Sequence, residues 1–320
     1  MAIALVGQSG TGKGTPFHAA ARAVDFEGSE IPESATARSG EGIPALLAYM
    51  QTEKGMDPEL RWRRPDRALW LHWDEVGHLA AQGARTGSTA LEVIKSLTSG
   101  ERLGGQNSKG DGLTIPGGGY RAALTVAVQP RRAGALLSDE AIAGGLAARF
   151  LWMRVEDPEA AAAARPTTAT QPVSVGLGHW GGVRYVDALP TMDAAHEADT
   201  RAAHLGERDP LDSRLLLNRA VVSIALANMA GRAVLTAEDW HLAGGIIAHS
   251  LHTLEHVRDA LAEPEPDETA RAQRVVDRLR ERLGSMRAEG VPFHEARRRL
   301  SRAQGNRLTE LLHSGDVIPW

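Results

Sequence analysis

A glycine-rich loop with a single lysine is the first feature of the chain that could do chemistry. The segment GQSGTGKG, at 7–14, holds four glycines and Lys13. Glycines let backbone N–H groups turn toward one anion, a following helix adds its positive end, and the lysine reaches the outer phosphates of a nucleotide. The apolar run Ala2–Val6 predicts a strand before the loop, and His18–Ala23 favours a helix after it. The pattern predicts a phosphate-binding loop, and the alternative is a glycine-rich turn that binds nothing.

The residues of this loop are the predicted nucleotide contacts. Mg²⁺ normally takes a hydroxyl ligand from the residue after the lysine, but Gly14 stands there and Thr15 follows. Either Thr15 supplies the hydroxyl or a water fills that position. The predicted nucleotide-binding set in the loop is Gly7, Gln8, Ser9, Gly10, Thr11, Gly12, Lys13, Gly14 and Thr15.

A pair of acids closes another apolar run. The run Arg67–Trp73 predicts a strand, and Asp74 and Glu75 follow it directly. In nucleotide hydrolases with a phosphate-binding loop, an aspartate at such a strand end holds Mg²⁺, and a neighbouring acid polarises the attacking water. We therefore predict Asp74 as a metal ligand and Glu75 as a catalytic residue. The alternative is that the two acids only begin the next helix.

Two later segments each end in a polar residue. The strand-like ALTVAVQP contains Gln129, whose amide could orient the water, and whose alternative role is a turn residue before Pro130. The segment Ala141–Arg149 predicts a helix that leads into a strand from Phe150. An arginine there is placed to enter a neighbouring subunit's nucleotide site and stabilise transition-state charge. The alternative for Arg149 is a surface salt bridge.

The composition limits the possible classes of protein. The chain has 320 residues, of which 42% are apolar, enough for a sizeable core and for more than one domain. There are no cysteines, so disulfides, thiolate zinc sites and thiol nucleophiles are excluded. The sequence offers neither a signal peptide nor an apolar span, so we expect no membrane partner and a cytoplasmic location.

Strand-like and helical segments alternate in the first half of the chain, which predicts an α/β fold with a parallel sheet. The predicted strands are 2–6, 67–73, 122–128 and 150–155, with a weaker candidate at 33–37. Long helices follow over 211–230 and 236–261. We predict a phosphate-binding core at 1–160, a helical lid domain with its connector at 161–265, and a third domain at 266–320.

The third domain is predicted to contact DNA. Between Arg271 and Arg307, eleven arginines stand against four acids, a local excess of seven positive charges. Helices predicted over 270–286, 293–300 and 306–313 fit a winged helix-turn-helix, and the alternative is a helical cap on the core. The predicted DNA contacts in this domain are Arg298, Arg302 and Arg307.

Three histidines and one acid share a face of the second long helix. They are His249, His252, Glu255 and His256. Their spacing is compatible with zinc, although exposed histidines on a helix are commoner than a metal site.

The order of the motifs resembles an AAA+ ATPase. The segments GQSGTGKG, LWLHWDE, LTVAVQP and GGLAARF precede a helical region that carries VLTAEDWHLA. More narrowly, KSLTSGERLGG, IPGGGYRAALTVAVQP and LLSDEAIAGGLAARFLW resemble the helicase-like ATPases attached to, or encoded beside, the primase-polymerases of phages, prophages and plasmids. The resemblance covers nearly the whole chain. It implies a replication motor, a ring or hexamer of identical subunits, that uses ATP and Mg²⁺ to move along or remodel DNA. We expect that DNA to be single-stranded, and a primase-polymerase is a possible partner.

The resemblance also implies a role for each motif residue. Lys13 is then the Walker A lysine, Asp74 the metal-holding acid, Glu75 the water-activating acid, Gln129 the first sensor and Arg149 the arginine finger. No motif marks the second-sensor arginine of the lid. Arg214 and Arg219 both qualify, and we choose Arg214 as a nucleotide contact.

A glycine-rich insertion lies between the acid pair and the strand of Gln129. The segment Ser99–Tyr120 contains eight glycines, so we predict a loop or a mobile hairpin and not a packed element. In a hexameric motor this segment would contact the DNA backbone, with Arg102 and Lys109 binding phosphates. The alternative is a loop without a role in DNA binding.

Two other functions stay open from the sequence. The loop reads GKGT, as in adenylate-kinase-like enzymes, so a small-molecule kinase is one rival. The acid pair argues against a kinase, because a kinase has no use for an activated water. The basic third domain also argues against it, because an enzyme that acts on a small metabolite does not need such a domain. The other rival is a DNA-bound nucleotide switch with little turnover. The primase itself is missing, so the chain is either a stand-alone motor or part of a fusion.

Overall fold

The computed structural model of the chain divides into two compact units, Met1–Ala262 and Glu263–Trp320. The first unit holds a parallel sheet with surrounding helices, and the second holds three described helices. The residues described are 1–8, 24–27, 34–37, 39–53, 57–83, 89–105, 112–156, 173–176, 186–263, 268–300 and 302–313.

The first unit contains eleven described strands, of which five lie on the predicted apolar runs. In chain order they are β1 (Ala2–Val6), β2 (Val24–Glu27), β3 (Ser34–Ala35), β4 (Ala48–Gln51), β5 (Glu59–Trp62), β6 (Ala68–Trp73), β7 (Leu103–Gly104), β8 (Thr114–Ile115), β9 (Arg121–Val128), β10 (Phe150–Arg154) and β11 (Val173–Gly176). The strands on the predicted runs are β1, β3, β6, β9 and β10, and they form a five-stranded parallel sheet with the order β10-β1-β9-β6-β3. The prediction of an α/β fold with a parallel sheet is confirmed.

The helices of the first unit lie between and after these strands. They are α1 (Gly42–Leu47), α2 (Val76–Gly83), α3 (Ala90–Ser99), α4 (Gly134–Leu137), α5 (Asp139–Ala143), α6 (Pro190–Leu205), α7 (Leu215–Met229) and α8 (Ala237–Ala262), with 3₁₀ turns at Pro130–Arg132, Ala147–Arg149 and Pro210–Asp212. The sheet and its helices are compatible with a three-layer α/β fold. No described helix is both long enough and apolar enough to cross a bilayer.

The central strands are apolar because both faces of the sheet are covered. Along β1, Ala2, Ala4 and Val6 are buried, and β9 is buried over its last five residues. Such near-continuous apolar runs are typical of parallel strands between helical layers. The main core continues through Trp73 and Trp152, which are both 1% exposed.

The strand β6 begins one residue later than predicted. Arg67 adopts a left-handed conformation with φ 53°, which L side chains rarely take, and its guanidinium lies 4.8 Å from the centre of the Trp62 ring. This turn joins the antiparallel β4–β5 hairpin to the sheet.

The prediction that Ser99–Tyr120 is not a packed element is wrong for its described parts. Strands β7 and β8 pair as an antiparallel hairpin, and Leu103 and Ile115 are almost fully buried in the main core. The glycines make this packing possible. Gly104 has φ 73°, and a Cβ there would stand 2.0 Å from the Leu113 carbonyl oxygen. The hairpin tip, with Lys109, lies outside the described residues.

The helix predicted over 141–149 is also wrong as a single element. Helix α5, capped by the Ser138 side chain, ends at Ala143, and a separate 3₁₀ turn carries Arg149. Gly145 breaks the helix because its φ of 67° is left-handed.

The helices α7 and α8 pack beside β10. Leu151 of the strand joins Val222, Ala243 and Ile247 in a buried cluster. A buried hydrogen bond crosses the same contact, because the Ser250 hydroxyl accepts from the Trp152 backbone N–H at 2.8 Å. The long helices predicted here are present, with their starts at Leu215 and Ala237.

The second unit has a small core of its own. Its helices are α9 (Glu268–Ala288), α10 (Phe293–Arg298) and α11 (Arg302–His313). Leu279, Ala296 and Leu308 are 1% exposed or less and belong to one apolar cluster. The segment 314–320, which follows the third helix of the predicted winged helix-turn-helix, lies outside the described residues.

Candidate functional site

The carboxyl ends of three neighbouring strands form the candidate site. Strand β9 lies between β1 and β6, and all three run in parallel. Gly7 follows β1, Gln129 follows β9, and Asp74 and Glu75 follow β6. These residues therefore lie at one edge of the sheet, the edge at which open α/β sheets bind their ligands.

The chain leaving β1 is fixed at its first two residues. The Gly7 N–H donates to the Val128 carbonyl at 3.0 Å, and the Gln8 N–H donates to Glu156 Oε1 at 2.7 Å. The first bond extends the β1–β9 ladder, and the second ties the loop to the residues after β10. The rest of the predicted loop, Ser9 to Thr15 with Lys13, lies outside the described residues.

Asp74 faces solvent at this edge of the sheet, because its side chain is 89% exposed. Its Oδ1 is 3.0 Å from His72 Nε2, and His72 Nδ1 is 2.8 Å from the Thr125 hydroxyl of β9. An ionised carboxylate only accepts hydrogen bonds, so we assign the His72 proton to Nε2 and let the hydroxyl donate to Nδ1. The buried imidazole thus orients Asp74 while leaving the carboxylate open to a cation.

Glu75 is held by an ion pair. Its Oε1 is 2.5 Å from a guanidinium nitrogen of Arg132, and its side chain is 35% exposed. Because the Arg132 side chain is 63% exposed, this pair is of the kind that contributes no more than about 1 kcal/mol. This weak ion pair positions the Glu75 carboxylate at the edge of the sheet but leaves the side chain able to move.

Gln129 occupies the end of β9 and also the turn that follows. Gln129 is half-buried. Its backbone carbonyl accepts a hydrogen bond from the Arg132 N–H at 2.8 Å, and this bond closes the 3₁₀ turn that begins with the buried Pro130. Gln129 is therefore a turn residue and also lies beside Gly7, so its turn role does not exclude a role at the site.

Arg149 and Arg214 lie at the opposite edge of the sheet. Ala2 pairs with Phe150 and Val6 with Arg154, so Arg149 is next to the amino end of β1. Arg214 precedes α7, and its guanidinium donates to the Ser99 hydroxyl at 2.5 Å. The Asn218 side chain, in the first turn of α7, donates to the Ala148 carbonyl at 3.0 Å, so the segment of Arg214 lies beside that of Arg149. Burial, and then the Arg214 cation, lower the pKa of Arg149. The structure does not bring Arg214 to the edge that holds Asp74.

The predicted nucleic-acid residues fall in both units. Arg102 is exposed just before β7, and Arg298 is exposed at the end of α10. Arg302 and Arg307 belong to α11, but their side chains, like Lys109, lie outside what the structure describes.

The histidine face of α8 lines a cleft of about 490 Å³ beside the end of β10. His249, His252 and His256 share it with Glu156, the residue that binds the Gln8 N–H. His252 Nδ1 is 4.0 Å from Glu255 Oε2, and no group of three or more metal-binding side chains closes around a point among the described residues. The zinc alternative is therefore not supported.

Four residues at the edge were missed from the sequence. His72 and Thr125 meet across paired strands, Arg132 reaches back to Glu75, and Glu156 binds the loop. A histidine inside an apolar strand was a signal for the first, because a buried imidazole needs partners. No protein-family model and no curated protein matches this chain.

Proposed function

We propose that the protein is a Mg²⁺-dependent ATPase that acts on DNA as a ring of identical subunits. The observation that carries the proposal is the convergence of Gly7, Gln129, Asp74 and Glu75 on one edge of a parallel sheet. A glycine-rich loop with a lysine continues directly from Gly7. Phosphates held by that loop would lie beside the acids that neutralise them.

The described residues fit the nucleotide and its metal. Asp74 offers an exposed carboxylate whose orientation is fixed through His72, and oxygen ligands are what Mg²⁺ prefers. Bound Mg²⁺ would supply the charge that offsets the phosphates. Glu75, next along the chain, would accept a proton from the attacking water, and Gln129 would hold that water by its amide.

The position of Arg149 supports the ring. Strand β1 has five residues, so its two ends are roughly 17 Å apart at about 3.3 Å per residue. Arg149 therefore lies at the opposite end of β1 from Gly7, the residue at which its own loop begins. In this proposal the arginine that completes each site comes from another subunit, and such head-to-tail contacts form a ring when the rotation between subunits closes.

Support for DNA as the partner comes from the second unit. The exposed arginines of α9 and α10 outnumber the acids there, and Arg298 lies on the shortest helix of a three-helix unit. Positive charge of this density is typical of surfaces that neutralise phosphates.

One set of assays separates the proposal from its rivals. Phosphate release from ATP and Mg²⁺ is measured with and without single-stranded DNA, and phosphate transfer to AMP is followed in parallel. We expect hydrolysis that DNA stimulates and no transfer. Transfer to AMP would make the protein a kinase, and DNA binding without turnover would make it a switch. Asp74→Asn should weaken Mg²⁺-dependent binding, with the exposed Asp57→Asn as its matched control.

A further inference from the structure

Two arginines lie at the amino edge of the sheet, and neither forms an ion pair with an acid in the part of the chain that the structure describes. Arg149 donates to the Gly145 carbonyl at 2.5 Å, and Arg214 donates to the Ser99 hydroxyl at 2.5 Å. Both partners are neutral. Among the described residues, no carboxylate forms a salt bridge with either guanidinium, and Nε of Arg149 is buried without a hydrogen-bond partner.

Two acids act on Arg149 without bonding it, and each has another partner. Glu92 and Glu101 are the carboxylates that act on Arg149. Glu92 pairs with Lys95 at 2.5 Å, and Glu101 accepts from the Ser96 hydroxyl at 3.1 Å. Glu92 and Glu101 offset the charge of Arg149 only in part and form no ion pair with it, so the two cations still repel each other. An anion from outside would relieve the repulsion and accept from guanidinium N–H groups that have no acidic partner.

We propose that Arg149 and Arg214 form one anion site, which receives the terminal phosphate of a nucleotide bound to a second copy of this chain. This inference rests on the proposed function. Arg214 is then a residue that acts across the subunit interface, and not a contact to the nucleotide of its own subunit as expected from the sequence.

The first turn of α7 keeps Arg214 at this edge. The Asn218 side chain donates to the Ala148 carbonyl at 3.0 Å, one residue before Arg149. Leu211, in the preceding 3₁₀ turn, is buried in the main core, which anchors the segment from its other side. To reach Gly7, where its own loop begins, Arg214 would have to cross the length of β1, roughly 17 Å.

The test uses co-expressed full-length subunits. Arg214→Ala is produced alone and together with Lys13→Ala, each with its own tag, and mixed assemblies are purified through both tags. Arg214→Gln, which retains a donor for Ser99, guards against a folding defect. Arg208→Ala is the matched control, because Arg208 pairs with Asp199 at 2.9 Å and lies on a turn after α6.

We expect Arg214→Ala to bind a fluorescent ATP analogue as the wild type does and to lose kcat by about 1000-fold, the lower end of the range for an arginine that stabilises the transferred phosphate. Arg208→Ala should hydrolyse normally. In mixed assemblies an intact loop faces an intact Arg214 at about one interface in four, so activity should recover to about a quarter of the wild-type value.

Three results would overturn the inference. The first is that both Arg214→Ala and Arg214→Gln hydrolyse ATP as fast as the wild type. The second is that both variants bind ATP more weakly than the wild type, and the third is that the mixed assemblies stay inactive. Each is meaningful only if the wild type hydrolyses ATP. A wild type without hydrolysis would instead defeat the proposed function, so the two failures are distinguishable.

Discussion

Asp239 anchors the start of α8 and gives the sharpest stability prediction. The carboxylate is 2% exposed, accepts from both terminal nitrogens of Arg232 at 2.6 and 2.7 Å, and accepts from the Thr236 N–H at 2.9 Å. The Asp239 N–H in turn faces the Thr236 hydroxyl oxygen at 3.3 Å. This reciprocal arrangement is a capping box, which satisfies donors that a helix start leaves open.

Replacing Asp239 with alanine removes both the cap and the charged fork. Loss of a cap costs about 1 kcal/mol. A hydrogen bond to a charged group contributes about 1.5–3 kcal/mol, and we take the lower end because the Arg232 side chain is 37% exposed and regains water. The free energy of unfolding should therefore fall by about 2–3 kcal/mol.

The pH dependence of this loss has a definite sign. The Arg232 hydrogen bonds hold the pKa of Asp239 well below its ordinary value of 3.8. A carboxylate with a depressed pKa stabilises the fold fully above that ordinary value and loses its contribution as pH falls toward the folded pKa. The difference between wild type and Asp239→Ala should be constant near neutral pH and should shrink below about pH 4.

Urea unfolding followed by circular dichroism at several pH values measures both effects. Glu238→Ala is the matched control, because it removes an exposed acid of the same first turn, whose interaction with the helix dipole contributes no more than about 1 kcal/mol. If Asp239→Ala costs no more than the control, or if the gap widens in acid, the assigned hydrogen bonds do not stabilise the helix start.

Three further predictions concern the site and the two units. His72→Phe should raise the Mg²⁺ concentration needed for half-maximal ATP hydrolysis about tenfold, since the imidazole orients Asp74, and a magnesium titration with unchanged dependence would contradict this. Ser250→Ala should lower the free energy of unfolding by about 1–3 kcal/mol in urea titrations, because it orphans the buried Trp152 N–H; a loss below that range would mean that water replaces the hydroxyl. Removing residues 263–320 should preserve the thermal transition of the first unit while reducing affinity for single-stranded DNA and its salt dependence in fluorescence anisotropy, whereas unchanged binding would move the DNA contact to the first unit.

The strands and the edge residues could be predicted from the sequence because they depend on local patterns. An apolar run that ends in a polar residue identifies a strand and its carboxyl end, and parallel strands gather those ends at one edge. This is why Asp74 and Gln129 could be placed together before the structure was known. Their neighbour Arg132 could not, since its pairing with Glu75 spans 57 residues.

Other features depend on tertiary contacts that no local pattern encodes. The position of Arg214 is set by Asn218 and Ser99, which belong to separate helices. The glycines of Ser99–Tyr120 indicated a loose segment, yet two apolar residues insert into the core because Gly104 allows a backbone approach that a side chain would block. Glycine content alone does not separate mobility from tight packing.

Hydrolysis by Glu75→Gln tests the central claim most directly. The amide keeps the shape of the side chain and cannot take a proton from water. We expect ATP binding, measured by equilibrium titration, to match the wild type, and steady-state phosphate release to fall at least about 100-fold, the lower range for a positioned base. The exposed Glu207→Gln should behave as the wild type. Retained turnover by Glu75→Gln would contradict the assignment of this edge as the site of ATP hydrolysis.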